Sequence, residues 1–322
     1  QKKVSEYFCV APWTHTYLSP QSERRMCCAS REEHSFQKQY IDSTNDEKNG
    51  EVKESSTTLD AYKPVSLKEH WNSEYMRDIR VKLMRGEEIP QCDVCNKNLL
   101  MEGYSYRGWF TGSLFRHKIQ EAFDKTDDTG YTTMEPISFD YRFSNLCNFK
   151  CRTCGDMLSS SWETEQRQHR MIDWTNTKNS WMKPDIRSQI SQFQSSQVEQ
   201  EFSQAVEEHR VEEIYWVGGE PLMYPQHWRY MRRIIELGDG NRVYARYNTN
   251  LSRIDYRGCN LYRDILSHVR DWQICASLDG TGRIGEYIRT GLDYQQWLDN
   301  FQQGMTIQRT PRQMRKIGRA HV

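Results

Sequence analysis

The pattern of apolar and polar positions changes character near residue 136. Beyond it, apolar residues alternate with polar ones in short runs, the period of a strand. The runs are Ile137, Phe139, Tyr141 and Phe143; Val211 to Val217; Val243, Ala245 and Tyr247; and Trp272, Ile274, Ala276 and Leu278. Between them the spacing becomes helical, with Phe202, Ala205 and Val206 in one segment and Trp228, Met231 and Ile235 in another. After the fourth run Tyr294, Trp297, Leu298 and Phe301 form a helical stripe, and a fifth strand is expected to begin at Met305. Strand–helix alternation of this kind predicts an α/β fold, a parallel sheet closed or nearly closed into a partial (βα) barrel of four to five strands. Residues 175–200 are a polar insertion with no assigned element.

Before residue 136 the signals are more local. Val10 to Leu18 reads as a strand, Ser19-Pro20-Gln21-Ser22 as a turn, and Arg24-Arg25-Met26 as the return. Such a hairpin brings Cys27 and Cys28 back towards Cys9. Residues 37–60 read as a polar loop. A helical stretch runs from Ser66 to Arg85, with Ser73 capping its second part, Met76, Ile79, Leu83 and Met84 on one face, and Gly86 as the stop. Pro90 leads into Cys92-Asp93-Val94-Cys95, and a second helix follows from Asn96 to Glu102. Residues 113–135 read as a helix and polar linker with Thr126-Asp127-Asp128-Thr129-Gly130 as a breaker. The expected organisation is therefore a small α+β module over 1–112, a linker over 113–135, the partial barrel over 136–310, and a tail over 311–322. Lys316 to Val322 reads as the translation of a common sequencing adapter, which implies a cut reading frame; the alternative is a basic tail with Arg309, Arg312 and Arg315.

Composition narrows the class. Among 322 residues, 44 Lys and Arg balance 44 Asp and Glu, which gives no nucleic-acid signal. No apolar run approaches the ~20 residues of a membrane helix, so no membrane span is expected. The first residues show no basic segment followed by an apolar stretch. The 10 cysteines lie in tight groups separated by long Cys-free stretches, a distribution that favours metal ligation in a reducing, cytoplasmic setting over a disulfide scaffold.

The densest group is Cys147-Asn148-Phe149-Lys150-Cys151-Arg152-Thr153-Cys154, just past the first barrel strand. Active sites of parallel α/β folds sit at that end. A 4Fe-4S cube normally takes four thiolates. Cys147, Cys151 and Cys154 supply three, which would leave one iron open for a substrate or cofactor. Gly218-Gly219-Glu220-Pro221 follows the second strand; its glycines allow close backbone approach and Glu220 offers a carboxylate. A further set, Cys9, Cys27, Cys28, Cys92 and Cys95, has ligands enough for one closed site, iron–sulfur or zinc. Cys275, inside the fourth strand, reads as a small buried apolar residue.

The Cys147-x3-Cys151-x2-Cys154 loop and Gly218-Gly219-Glu220 together resemble the radical S-adenosylmethionine (radical SAM) superfamily over residues 136–310. The resemblance implies that Cys147, Cys151 and Cys154 hold a catalytic 4Fe-4S cluster and that its open iron binds SAM. It implies that Gly218, Gly219 and Glu220 contact the SAM amino group, that Asn248, Ser277 and Asp279 reach its ribose or carboxylate, and that Arg289 pairs with the carboxylate. Two features depart from the family: Thr153 stands where an aromatic residue often precedes the last cluster cysteine, and the barrel is short of six strands. Phe8-Cys9-x3-Trp13-x-His15, Cys27-Cys28, Leu67-x3-Trp71-Asn72-Ser73 and Cys92-x2-Cys95 resemble an N-terminal twitch-type module. That implies a second, auxiliary 4Fe-4S cluster on Cys9, Cys92, Cys95 and one of Cys27 and Cys28, with Cys27 favoured. By analogy the substrate is a peptide or protein and the electron donor a flavodoxin or ferredoxin. The alternative is a non-catalytic protein binding zinc or iron–sulfur.

Overall fold

Apolar periodicity decides most of the elements, and capping chemistry decides where they start and stop. The computed structural model describes residues 4–32, 64–172 and 181–317. The expected loop at 37–60, part of the 175–200 insertion and Gly318 to Val322 of the adapter-like run lie outside the described residues. The chain divides into two units, one formed by Gln1–Tyr17, Ser22–Pro136 and Ile172–Glu199, the other by Leu18–Gln21, Ile137–Met171 and Gln200–Val322.

In the first unit the expected hairpin is present but shorter. Pro12 sits in a helical turn, Ala11–Thr14, so the strand β1 is only His15–Leu18, and it returns through β2, Arg24–Arg25. Helix α1, Leu67–Trp71, starts with a Ser66–Glu69 capping box. Helix α2, Glu74–Arg85, starts where the Ser73 hydroxyl accepts the Met76 N–H and stops at Gly86, whose φ is +78°. Met76, Ile79 and Leu83 are buried as expected, but Met84 is half-buried and Arg80 occupies the core instead. Arg80 is tolerated there because carbonyls saturate it: it donates to Pro12 O at 3.0 Å, Trp71 O at 2.7 Å and Asn72 Oδ1 at 2.8 Å. Helix α3, Asp93–Glu102, begins three residues earlier than expected, within the Cys92–Cys95 pair.

Residues 113–135, expected as a linker, are packed into this unit. They carry helix α4, Ile119–Asp124, and accept hydrogen bonds from Trp71 Nε1 to Met134 O (2.7 Å) and from Asn72 Nδ2 to Thr132 O (3.0 Å). The polar insertion contributes helix α5, Pro184–Phe193, which buries Ile186 and Ile190.

The second unit is α/β with a parallel sheet. Its strands are β3 (Ser138–Tyr141), β4 (Glu213–Trp216), β5 (Tyr244–Thr249), β6 (Asp271–Ser277) and β7 (Met314–Ile317), in the spatial order β7-β6-β5-β4-β3. β3 and β7 are not neighbours in the sheet among the described residues. Helix α6, Glu199–Glu207, precedes β4; α7, Pro225–Glu236, connects β4 to β5; α8, Gly282–Ile288, and α9, Tyr294–Ile307, connect β6 to β7. The fifth strand therefore begins at Met314, not Met305. Helix α9 runs past Met305 and ends at Ile307, where Gln308 turns extended. Consequently part of the expected tail is strand: Met314 to Ile317 pairs in parallel with Ile274 to Ser277.

Every residue of β3 and β4 is buried, as parallel strands covered on both faces require. One face is aromatic. Phe202 of α6 stacks edge-on against Phe139, Phe143, Trp216 and Tyr230, with centroids at 4.8–6.1 Å. The other face is polar: Glu213 pairs with Arg246 at 3.3 Å, and Arg246 lies over the Tyr215 ring at 3.7 Å. Cys275 shares that polar face in register. It is half-exposed and donates to Gln273 Oε1 at 3.8 Å, so it is not the buried apolar filler expected.

Two outcomes test this core. Phe202→Ala should cost about 3–5 kcal/mol in denaturant unfolding, against a far smaller loss for Phe202→Leu. His227, buried beside Trp216, Trp228 and Tyr247, is pushed by burial from 6.5 to about 3. Its contribution to stability is thus complete above pH 6.5 and is lost, at about 1.4 kcal/mol per pH unit, as the pH falls towards 3. His227→Phe should flatten that acid limb by one proton; an unchanged slope would assign it to another group.

Candidate functional site

The cysteine loop of the second unit follows β3 and is fixed by backbone contacts on two sides. On one side, Lys150–Cys151 pairs antiparallel with Arg289–Thr290, and Arg152 N–H donates to Ile288 O at 2.9 Å. On the other, Glu220 N–H donates to Leu146 O at 2.7 Å and Gly219 N–H to Ser144 O at 3.4 Å. The glycines serve this approach. A Cβ on Gly219 would stand 2.3 Å from Leu146 O, and one on Gly218, whose φ is +131°, would stand 2.7 Å from Tyr224 Oη. Beneath the loop, a serine run at the start of the helix Ser160–Gln168 holds its backbone. Ser159 Oγ donates to Phe149 O (2.6 Å), Ser161 Oγ to Cys147 O (2.7 Å), and Ser160 Oγ accepts the Cys147 N–H (3.1 Å). Trp162 Nε1 adds a bond to Cys151 O at 2.9 Å.

Two of the three thiols are supplied with hydrogen-bond donors, and the third, Cys154, donates to Gly155 O at 3.6 Å. Cys147 Sγ accepts from Phe149 N–H at 3.4 Å and Asn250 Nδ2 at 3.9 Å; Cys151 Sγ accepts from Arg289 Nη1 at 3.8 Å. Donors aimed at sulfur suit a thiolate, the form that binds metal. Burial nevertheless outweighs those donors, lifting Cys147 from the ordinary 9.0 to about 12 and Cys151 to about 11. Cys154 is raised for the same reason. A bound metal or cluster would supply the positive charge these sulfurs lack.

The other expected contacts are arranged differently. The Glu220 carboxylate is buried and engaged inside the fold, accepting from Thr249 Oγ1 (2.6 Å), Asn250 N–H (2.7 Å) and Leu222 N–H (3.1 Å). Burial lifts it to about 7 despite those donors. It braces the end of β5 rather than standing free to meet an amino group. Arg289 is likewise engaged, by Asp279 at 2.8 Å as well as by Cys151. Asp279 and Arg289 thus lie together at the loop, but as each other's partners. Asn248 and Ser277 make no side-chain hydrogen bond among the described residues. The asparagine that reaches the cysteine loop is Asn250, which donates to Asn148 Oδ1 at 3.0 Å.

In the first unit Cys9, Cys27, Cys92 and Cys95 are all buried, each 5–6% exposed, while Cys28 is half-exposed. The charge of Cys27 interacts with those of Cys28, Cys9, Cys95 and Cys92. Burial raises Cys9 to about 12 and Cys92 to about 11. An all-thiol, buried donor set suits zinc or iron–sulfur equally. Among the described residues, no three His, Cys, Asp or Glu side chains stand at metal-binding geometry in either unit; the sulfurs are neighbours without being converged.

No family model matches the chain, and neither a curated protein nor a solved structure matches it.

Gly219→Ala should force the two loops apart. The expected result is a loss of about 1–3 kcal/mol in denaturant unfolding. Gly155→Ala, where an added Cβ meets nothing within 4 Å, is the control that should leave stability nearly unchanged.

Proposed function

We propose that the chain is a radical SAM enzyme, with a partial barrel of that type carrying the catalytic cluster and the N-terminal module an auxiliary one. The observation that carries this reading is the arrangement of Cys147, Cys151 and Cys154. Three thiols, Cys151 buried and Cys147 and Cys154 half-buried, lie past the end of a parallel strand with donors on the sulfurs of Cys147 and Cys151, and their loop is bonded to the Gly218-Gly219-Glu220 turn. Three thiols without a fourth suit a cluster with one open iron. A 4Fe-4S cluster held by Cys147, Cys151 and Cys154 with one iron open would supply the one-electron chemistry that cleaves SAM reductively to methionine and a 5′-deoxyadenosyl radical, the species that would take hydrogen from the substrate.

The residues of the chain then have distinct roles. Cys147, Cys151 and Cys154 hold the cluster, and Phe149 N–H, Asn250 and Arg289 disperse charge on the sulfurs. Gly218 and Gly219 bring the two loops into contact and offer backbone polar groups to the SAM amino group. Glu220 holds Thr249 and Asn250 in place. Asn248 and Ser277, on the polar face of β5 and β6, retain hydrogen-bonding capacity for ligand. The substrate is proposed by analogy to be a peptide or protein, the electron donor a flavodoxin or ferredoxin, and the setting cytoplasmic. Among the described residues no helix is long and apolar enough to cross a membrane.

Anaerobic reconstitution followed by iron counting tests the proposal. About eight irons per chain are expected, two 4Fe-4S clusters by the thiol sets above. Reduction in the presence of SAM should yield 5′-deoxyadenosine. Zinc in both sites, or an iron-loaded chain that leaves SAM intact, would favour the non-catalytic metal-binding reading instead.

A further inference from the structure

Tyr224 closes the one-turn helix Pro221–Met223 that follows the Gly218-Gly219-Glu220 turn. Its backbone is fixed from both sides. Its N–H donates to Pro221 O at 3.0 Å, and Pro225, which opens α7, restricts the residue before it to extended geometry. The side chain is buried, and its hydroxyl lies between the turn and the cysteine loop. The hydroxyl accepts the Gly219 N–H at 2.7 Å and donates to Ser144 O. These roles cannot be exchanged. An amide N–H only donates and a carbonyl only accepts, so the one hydroxyl proton is committed to Ser144. The direct bond from Gly219 N–H to Ser144 O is long, 3.4 Å, which leaves the hydroxyl as the closer link. Gly218 makes room for it, since a Cβ there would stand 2.7 Å from Tyr224 Oη.

The strap decides which edge of a peptide faces outwards. In a trans peptide the C=O points opposite to the N–H, and no peptide bond among the described residues is cis. With the Gly219 N–H held by Tyr224, Gly218 O points away from the cysteine loop. With the Glu220 N–H on Leu146 O at 2.7 Å, Gly219 O does the same. Neither carbonyl accepts a hydrogen bond among the described residues. Two adjacent acceptors with free lone pairs suit an ammonium group, which has only donors, and offer nothing to a carboxylate. Were the Gly218–Gly219 peptide to rotate, it would present an N–H in place of a carbonyl, and the preference would reverse.

We infer that Tyr224 is a positioning residue that sets the ammonium specificity of the Gly-Gly-Glu turn by holding the Gly218–Gly219 peptide with its carbonyl outwards. The inference rests on the reading that this turn meets the SAM amino group. It adds the residue, outside the turn itself, that fixes the polarity the turn presents.

The test compares the full chain with Tyr224→Phe, which removes only the hydroxyl. Tyr247→Phe is the control: it also removes a buried hydroxyl, one paired with His227 Nε2 at 3.1 Å on the aromatic face of the sheet. In the iron-free chains, hydrogen exchange at the Gly219 amide should quicken about tenfold or more in Tyr224→Phe and stay unchanged in Tyr247→Phe. Unchanged exchange in Tyr224→Phe would show that Ser144 O holds the amide unaided, and the inference is overturned. In anaerobically reconstituted chains of equal iron content, calorimetry measures binding of SAM and of its analogue lacking the α-amino group. The parent should favour SAM about tenfold or more. Tyr224→Phe should lose most of that preference by weakening SAM alone, and Tyr247→Phe should keep it. If Tyr224→Phe keeps the preference, or weakens both ligands equally, the hydroxyl does not set specificity and the inference fails while the SAM reading stands. If the parent does not favour SAM over the analogue, the reading of the Gly-Gly-Glu turn fails, and the inference with it.

Discussion

The second unit depends on one close approach, that of the cysteine loop to the turn after β4. Glu220 N–H reaches Leu146 O at 2.7 Å only because Gly219 carries no Cβ; any side chain there would meet the same carbonyl at 2.3 Å. That contact sets the height of the loop above the sheet. The antiparallel pairing of Lys150–Cys151 with Arg289–Thr290 then sets its tilt. With both ends of the loop tied to neighbouring strand ends, the thiols are placed by backbone geometry, and their side chains have little conformational freedom left to lose on binding. The Gly-Gly pair thus has a structural reason to exist that is independent of any ligand, and it is compatible with a ligand using the outward backbone groups.

Burial without compensation is the second constraint, and it recurs in both units. Each has a set of thiols whose acidity is suppressed mainly by desolvation, and each places one arginine beside a single member of the set. The two arginines differ in their neighbours. Arg289 is already half-neutralised by Asp279, so it can lend a hydrogen bond to Cys151 without demanding negative charge. Arg107 has only neutral acceptors, Glu6 O and Asn96 Oδ1.

How far the fold could be read from the sequence follows from what each signal measures. Alternation located β3 to β6 because each strand buries an aromatic or branched stripe against helices. It misplaced the fifth strand because Met305 and Ile307 satisfy a strand period while sitting in α9, which ends only where Gln308 turns extended. The linker assignment at 113–135 failed for a related reason. A polar breaker at Thr126 to Gly130 signals a turn, but turns can be packed, and Trp71 and Asn72 hold this one. At the site, the cysteines were legible from spacing, which is a property of chain reach. The serines at 159–161 were not, since three consecutive serines carry no periodic signal; their meaning appears only when their hydroxyls meet the loop backbone. Asn250 was missed for Asn248 because the end of β5 was placed two residues early.

The engagement of Glu220 alters how the Gly-Gly-Glu turn can act. Its carboxylate accepts three hydrogen bonds, from Thr249, Asn250 and Leu222, and is buried. To meet a ligand directly it would have to break bonds that hold the end of β5, and Asn250 would lose its orientation towards Cys147. The lower-energy arrangement keeps the carboxylate where it is and uses it twice, as an acceptor that fixes Asn250 and as a buried negative charge close to the turn. With burial holding its acidity near neutral pH, a cationic group arriving at the turn would favour the ionised form. A ligand ammonium could therefore be recognised through backbone carbonyls and long-range attraction, without an ion pair of contact distance. On this reading Glu220 couples ligand charge to the placement of the asparagine that contacts the cysteine loop.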